Sequence, residues 1–234
     1  MPKERLDKLL ASTGRWSRSE VKRLVREGRV LADGSIASSA EEKYDAETVA
    51  LAVDGVAVRL REYVYIMLNK PAGVLSATED GRGKTVLDLL PEEYRKRGLF
   101  PVGRLDKDTE GLLLLTDDGA LAHALLSPKK HVDKLYFARV EGVLDDADRA
   151  AFEEGMMLGD GLHCLPAGLE IVAPDEALVT LREGKFHQIK RMFAARGKPV
   201  AYLKRLAMGP LTLDEKLAPG AWRELTDAEE KMLQ

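Results

Sequence analysis

The sequence contains a single cysteine and no long apolar run. Cys164 has no second thiol to pair with in the 234 residues, which excludes an internal disulfide and is typical of a reducing compartment. No apolar run approaches the roughly 20 residues of a membrane helix, and charged residues fill the N-terminal positions where a secretion signal needs an apolar segment. We therefore expect a cytoplasmic protein that makes no contact with a membrane, and a buried, unreactive Cys164.

The chain also lacks the sequence patterns that hold metals and nucleotides. Its four histidines are scattered, and no HExxH or CxxC spacing occurs. Neither a phosphate-binding loop of the GxxxxGKS or GxxxxGKT type nor a GxGxxG turn is present. The sequence therefore predicts neither a metal site nor a bound cofactor.

A basic excess over the whole chain is missing as well, since the net charge is −3 and the pI is about 5.9. The charge is unevenly distributed, however. Residues 1–30 hold nine Lys or Arg against four Asp or Glu, a local charge of +5, whereas residues 31–60 hold two against six. This basic end indicates a surface for a polyanion that the pI of the whole chain conceals.

Two short amphipathic helices are predicted in the basic segment. The second begins at a capping box, because Ser17 is followed three residues later by Glu20. Arg18, Lys22 and Arg26 recur every four residues and therefore share one face of this helix. Such a face suits contact with phosphates, and it is equally typical of a helix exposed to solvent.

The remainder of the chain alternates short predicted strands with short predicted helices. This pattern predicts an α+β fold with a mixed, mainly antiparallel sheet flanked by helices. We place a small domain at residues 1–60 and a larger one at residues 61–234. The clearest predicted elements are strands over 134–140, 168–173 and 177–183, helices over 147–155 and 188–195, a helix ended by Pro128, and a C-terminal helix capped by Thr226 and Glu229.

The stretch Phe100–Gly119 places a polar loop between two apolar runs, and Leu112–Leu115 is predicted to be a buried strand. The loop offers three carboxylates, Asp106, Asp108 and Glu110. Alternate residues of an extended segment point to opposite sides, so Asp106 and Asp108 are not expected to converge on one bond as in a glycosidase. The pattern alone assigns Asp108 to turn structure and favours a structural role for Asp106 too.

Residues 4–50 resemble a known RNA-binding module. The segments RLDKLLASTG and SRSEVKRLVREGRVLADG are similar to the S4 domain, which occurs in a ribosomal small-subunit protein, in tyrosyl-tRNA synthetases and in RNA-modifying enzymes. In that family the two helices form the RNA-contacting face. The resemblance implies RNA contacts by the basic side chains of this segment, namely Arg5, Arg18, Lys22, Arg23, Arg26 and Arg29.

The larger domain resembles the pseudouridine synthases. GRLDKDTEGLLLLTDDG at 103–119 is similar to their signature, and NKPAG at 69–73, SPKKHVDKLY at 127–136 and EGKFHQIKRMF at 183–193 follow in the family's order. The segment LLSPKKHVDKLY looks most like the corresponding segment of the enzymes for small-subunit (16S) ribosomal RNA, the RsuA type. The resemblance implies that Asp106 is the catalytic carboxylate, that Tyr136 stacks on the target base and that Lys190 pairs with the aspartate. It also implies that Arg104 contacts the RNA. We further expect RNA contacts by Lys70 and Arg191.

The implied reaction needs no cofactor, because converting uridine to pseudouridine is an isomerisation without redox change. The carboxylate either attacks a carbon or removes a sugar proton, and the sequence leaves both routes open. A cation beside it favours its ionised form, and an aromatic face holds the detached base. The expected partner is 16S ribosomal RNA, free or in a partly assembled small ribosomal subunit, and we expect a monomer. The alternatives are a large-subunit (23S) target, a noncatalytic RNA-binding or ribosome-assembly factor, and a glycoside or nucleoside hydrolase.

Overall fold

The structure, a computed structural model, describes residues 3–127 and 130–233. Its chain forms two compact units: Met1–Val64 with Leu90–Leu99, and Tyr65–Leu89 with Phe100–Gln234. Pro128, the predicted stop of a helix, lies outside the described residues, as does part of the motif at 127–136. Within the described residues, no helix is long and apolar enough to cross a membrane.

The first unit packs two short helices on small antiparallel sheets. The basic helix begins at the predicted capping box, because Ser17 and Glu20 each bond the other's main-chain N–H. Its apolar face is buried in a core formed by aliphatic side chains from both helices and from the strands. The elements are β1 (Glu4–Arg5), α1 (Leu6–Ala11), α2 (Arg18–Arg26), β2 (Val30–Ala32), β3 (Ser35–Ile36), β4 (Lys43–Tyr44), β5 (Leu51–Val53) and β6 (Val56–Val58). The order in the four-stranded sheet is β3-β2-β5-β6, and β1 pairs with β4.

A second segment of the chain, Leu90–Leu99, belongs to this first unit and contains helix α3 (Glu92–Arg97). Gly14 has a φ of 77°, and a Cβ at this position would lie 2.1 Å from the carbonyl oxygen of Glu93. Glycine is therefore required where the turn after α1 approaches α3. The guanidinium of Arg97 also donates to the carbonyl of Ser12 at 3.0 Å. The sequence placed residues 61–234 in one domain; a boundary at residue 60 stays a prediction.

The second unit is built on a nine-stranded sheet. Its main path runs β13-β14-β10-β15-β9-β7-β17, with β16 beside β15 and β8 beside β9. The β9–β15 pair is parallel, and the other described pairs are antiparallel, so the predicted mixed, mainly antiparallel α+β fold is confirmed. The strands of this sheet are β7 (Tyr65–Lys70), β8 (Phe100–Pro101), β9 (Glu110–Thr116), β10 (Lys134–Val140), β13 (Gly168–Ala173), β14 (Glu176–Leu181), β15 (Val200–Met208), β16 (Leu211–Thr212) and β17 (Trp222–Glu224). Strands β11 (Met156–Met157) and β12 (His163–Cys164) pair with each other in a separate two-stranded sheet.

Five short helical segments with described bounds accompany this sheet within residues 65–127 and 130–233. They are a 3-10 turn (Val86–Leu89), α4 (Gly119–Leu126), α5 (Asp146–Glu154), α6 (Gln188–Ala195) and α7 (Asp227–Leu233). The predicted cap of α7 is confirmed, because Thr226 and Glu229 exchange main-chain to side-chain hydrogen bonds. Cys164 is fully buried, as expected, and this burial raises the pKa of its thiol.

Strand β9 fixes the position of the loop that precedes it. Leu112–Leu115 are at most 1% exposed, which confirms the predicted buried strand. At the start of the strand, Gly111 has a φ of 100°, and a Cβ there would lie 2.2 Å from the carbonyl oxygen of Arg205. This close approach lets β9 and β15 run side by side, so the loop before β9 lies next to residues of β15.

Candidate active site

The loop between β8 and β9 carries Asp106 and is held by main-chain and side-chain hydrogen bonds. Thr109 N–H donates to the carbonyl of Asp106 at 3.1 Å, which closes a turn. The hydroxyl of Ser76 donates to the carbonyl of Leu105 at 2.9 Å and accepts from its N–H at 3.1 Å. Gly73 N–H donates to the carbonyl of Lys107 at 2.7 Å. The backbone around Asp106 is therefore fixed from both sides.

Lys70, at the end of β7, supports the same loop from within the protein. Its Nζ donates to the carbonyl oxygens of Pro71 (3.1 Å), Asp106 (3.0 Å), Lys107 (3.2 Å) and Thr109 (2.8 Å). The side chain is 0% exposed, and burial lowers its pKa to about 8. The prediction that Lys70 contacts RNA is wrong, because its ammonium group is enclosed and occupied by main-chain carbonyls.

Lys190, on helix α6, pairs with both aspartates of the loop. Its Nζ lies 3.1 Å from Oδ2 of Asp106 and 2.5 Å from Oδ1 of Asp108. Although burial opposes the charge on Lys190, hydrogen bonds to Asp108 and Asp106 raise its pKa above the usual value. The same contact holds the pKa of Asp108 below its ordinary range.

The expectation that Asp106 and Asp108 point apart is therefore wrong. It assumed extended backbone, whereas Lys107 and Asp108 lie in a turn that brings the two carboxylates to one cation. The exposed fractions separate them, since the side chain of Asp106 is 27% exposed and that of Asp108 is 75% exposed. Asp106 faces the cavity described below, and Asp108 lies toward solvent.

His187 is a neighbour of Asp106 that the sequence pattern did not single out. Its Nε2 lies 3.5 Å from Oδ1 of Asp106. Its φ of 50° is uncommon for a residue other than glycine, and it lies immediately before α6. Its ring stacks on that of Phe186 with a centroid distance of 3.8 Å and an angle of 17°. Phe186 is 73% exposed, so an aromatic surface faces solvent beside the site.

Tyr136 lies on β10 between β14 and β15, where its register partners are Val179 and Arg205. It is 8% exposed and lines the same cavity as Asp106. We call this space the Asp106 cavity; apolar side chains form much of its wall, namely Leu105, Leu181, Ile189 and Leu203. The structure thus brings Asp106, Lys190 and Tyr136 together, as the sequence motifs implied.

The remaining predicted RNA contacts fall into two groups. Three of them form ion pairs. Arg5 pairs with Asp7 and Glu41, and Arg29 pairs with Asp54 and Glu27. Arg191 pairs with Asp160. A weaker pair joins Arg23 to Glu27 at 3.9 Å. The other group is exposed and has no carboxylate partner within the described part of the chain: Arg18, Lys22, Arg26 and Arg104.

The residues that the structure describes contain no group of three His, Cys, Asp or Glu side chains arranged to hold a metal ion. The chemistry that this site offers is that of one carboxylate held beside a cation, with an aromatic ring across an apolar-walled cavity.

Comparison with known proteins identifies both units. The family model described as RNA pseudouridylate synthase matches residues 64–195, and the S4 domain matches residues 4–49. A Bacillus subtilis relative named "Uncharacterized RNA pseudouridine synthase YtzG" is 50% identical over 233 residues, or 98% of each chain. The "Ribosomal small subunit pseudouridine synthase A" of Salmonella typhimurium is 41% identical over 227 residues, which cover 96% of this chain and 97% of the relative. A crystal structure of a pseudouridylate synthase matches with a TM-score of 0.70 and 35% identity, over 99% of this chain and 100% of the other.

An S4 domain joined to a mixed-sheet domain that matches an RNA-modifying family defines an RNA-modifying enzyme. The chain belongs to the RNA pseudouridine synthase family. It is therefore an isomerase that acts on RNA.

Proposed function

We propose that this enzyme converts a uridine of small-subunit (16S) ribosomal RNA to pseudouridine, with Asp106 as the catalytic carboxylate. The observation that carries the proposal is the 3.1 Å contact between Asp106 and Lys190 at a cavity that Tyr136 also lines. The choice of RNA follows relatives that are named for the small ribosomal subunit and that match 96% of this chain.

The reaction breaks the bond from ribose C1′ to N1 of the base and forms a bond from C1′ to C5. The C5 proton leaves and N1 gains a proton, so the composition of the nucleotide is unchanged. Asp106 acts in its ionised form, either as a nucleophile or as a base toward a sugar proton. Lys190 stabilises that charge, and the ring of Tyr136 holds the detached base while it turns.

The target base must leave its stack before it reaches Asp106, at a cost of a few kcal/mol. Contacts elsewhere on the RNA have to offset this cost. The exposed cations of α2 supply contacts to phosphates, and Arg104, on the catalytic loop, supplies one next to the site. The exposed ring of Phe186 offers a surface on which a neighbouring base can stack.

Mapping pseudouridines in ribosomal RNA from cells with and without this protein tests the substrate. We expect one or more 16S positions to lose the modification and the 23S positions to keep it. Loss of a 23S position instead would overturn the choice of RNA.

A purified-enzyme assay on a 16S transcript tests the catalyst. Asp106→Asn is expected to lower the rate by more than about a thousandfold, as removal of a central catalytic group does. Asp108→Asn is the matched control, since it changes a carboxylate of the same loop that lies toward solvent. Equal losses in the two variants would remove the special role of Asp106, and release of free uracil would indicate hydrolysis.

A further inference from the structure

A second cavity lies beside the Asp106 cavity, and Arg104, Tyr136 and Lys185 line both. Its volume of about 450 Å³ is within the usual range for ligand sites, roughly 300–1,000 Å³. Five cationic side chains surround it, so we call it the basic cavity: Arg104, Lys134, Arg182, Lys185 and Arg205.

Arg205 is the most unusual member of this group. It is 2% exposed, and its Nε donates to the carbonyl oxygen of Leu112 at 2.7 Å. Its Nη2, however, is buried and has no hydrogen-bond partner. A buried guanidinium nitrogen without an acceptor destabilises the folded protein. A contribution to stability therefore does not explain why Nη2 of Arg205 is buried here.

Lys134 adds a second buried cation. It is 8% exposed, and its Nζ has one described acceptor, the carbonyl of Val132 at 3.0 Å. Burial and the charge of Arg205 lower the pKa of Lys134, while Asp133 opposes them. Two buried cations therefore repel each other at one end of the sheet.

The carboxylates near this pair are already engaged. Asp133 accepts from Arg182 at 3.0 Å. Glu183, which lines the basic cavity, accepts from Leu165 N–H at 2.9 Å and from the side chain of Gln188 at 2.7 Å, and it pairs with Lys185 at 3.0 Å. Among residues 3–127 and 130–233, no carboxylate forms an ion pair with Lys134 or Arg205.

We propose that the basic cavity binds a phosphodiester group of the RNA strand, adjacent to the nucleotide whose base enters the Asp106 cavity, through Lys134 and Nη2 of Arg205. The inference rests on the proposed function, since both cavities must serve one RNA strand. A phosphate supplies the missing acceptor for Arg205 and the missing negative charge between the two cations. Because Tyr136 lies beside Arg205 on the neighbouring strand, this contact fixes the strand's register relative to the ring that holds the base.

The test measures RNA binding in an Asp106→Asn background, so that no substrate is converted. The probe is a 16S ribosomal RNA transcript, titrated over a range of salt concentrations. Lys134→Met is expected to weaken binding about tenfold and to reduce the slope of log affinity against log salt by about 0.7–0.9, the effect of one lost phosphate contact. Lys216→Met, at an exposed position, is the matched control and should leave the affinity unchanged within about twofold.

Thermal unfolding separates this role from a structural one. Because the charge of Lys134 is buried and has no ion pair, Lys134→Met should keep or raise the melting temperature while RNA binding falls. Arg205→Lys, which keeps a charge but removes the second guanidinium nitrogen, should raise KM for RNA more than it lowers kcat. An unchanged salt slope in Lys134→Met would overturn the phosphate site. If the parent modifies a 23S transcript instead, the 16S substrate proposal is wrong. The same titration on the 23S transcript then tests whether the basic cavity binds a phosphate.

Discussion

The ammonium group of Lys190 lies 3.1 Å from the carboxylate of Asp106, although 84 residues separate them in the sequence and they sit on a helix and a loop. The contact exists because α6 begins beside the turn before β9, and that turn is fixed by Lys70. Asp106, the proposed catalytic residue, is therefore held by two lysines with different tasks: Lys70 binds its backbone, and Lys190 binds its side chain.

Replacing Lys190 should affect catalysis more than binding. In Lys190→Met the charge of Asp106 loses its partner, and we expect kcat to fall about a hundredfold with KM for RNA changed less than about threefold. Lys190→Arg should recover much of the rate, because it returns a cation to the same helix position. The measurement is pseudouridine formation under saturating and subsaturating RNA. Full activity in Lys190→Met would contradict this role.

Replacing Lys70 should destabilise the protein. Its pKa, lowered from 10.5 to about 8, corresponds to about 3 kcal/mol against the buried charge. Replacement by methionine would leave four buried carbonyl oxygens without the ammonium group that they share, and an unsatisfied buried acceptor costs about 1–3 kcal/mol. We expect Lys70→Met to lower the free energy of unfolding by about 3 kcal/mol.

Urea unfolding measures this effect, with Lys107→Met as the control. Lys107 is exposed on the same loop, so its replacement should change stability by less than about 0.5 kcal/mol. Equal stability of Lys70→Met and the parent would show that the carbonyl oxygens do not depend on the lysine.

Local patterns predicted much of this fold and part of the site. The capping boxes at Ser17 and Thr226 were predictable because each depends on residues three apart, and helix α6 has the predicted bounds, Gln188–Ala195. Motif resemblance supplied Asp106, Tyr136 and Lys190, which composition and spacing alone would have left as ordinary residues.

Features that depend on long-range contacts were not predictable. Lysine is usually a surface residue, so the sequence does not indicate that Lys70 is buried. Only the path of the loop across the end of β7 shows that four carbonyl oxygens surround it. His187 approaches Asp106 because of a left-handed backbone conformation, for which the sequence gives no signal. The association of Leu90–Leu99 with the N-terminal unit likewise depends on contacts remote in sequence, such as that of Gly14 with Glu93.

Phe186 should contribute to RNA binding and not to stability. Its ring is 73% exposed, so Phe186→Ala removes little buried area, and stability should change by less than about 0.5 kcal/mol. If a base stacks on this ring, its loss weakens RNA binding by about 1–3 kcal/mol, or roughly 5-fold to 150-fold. Phe186→Trp should restore the affinity. Filter binding to a 16S transcript is the measurement, and unchanged affinity in Phe186→Ala would exclude stacking on this ring.

The basic face of α2 should set the salt dependence of RNA binding. A triple variant of Arg18, Lys22 and Arg26 to Gln should reduce the slope of log affinity against log salt by about 2, as expected for up to three phosphate contacts. Arg29→Gln is the matched control in the same unit, because Asp54 and Glu27 already neutralise its charge. A slope change in the control as large as in the triple variant would show that the effect reports general charge.

The C-terminal helix should make stability depend on pH in the acid range. Hydrogen bonds from Arg223 lower the pKa of Glu229 from 4.5 to about 2. The carboxyl group of Glu229 has a lower pKa in the folded state than in the unfolded state. Its contribution to the free energy of unfolding is therefore fully present above about pH 4.5 and is lost as the pH falls toward 2. We expect Glu229→Gln to lower the free energy of unfolding by about 2 kcal/mol at pH 7, a value that allows for partial solvent screening of the pair, and by much less at pH 2.5.

Glu215→Gln, at an exposed position, should show no such pH-dependent difference from the parent in urea unfolding. A Glu229→Gln deficit that is equal at both pH values would mean that the loss comes from the helix cap and not from the charge.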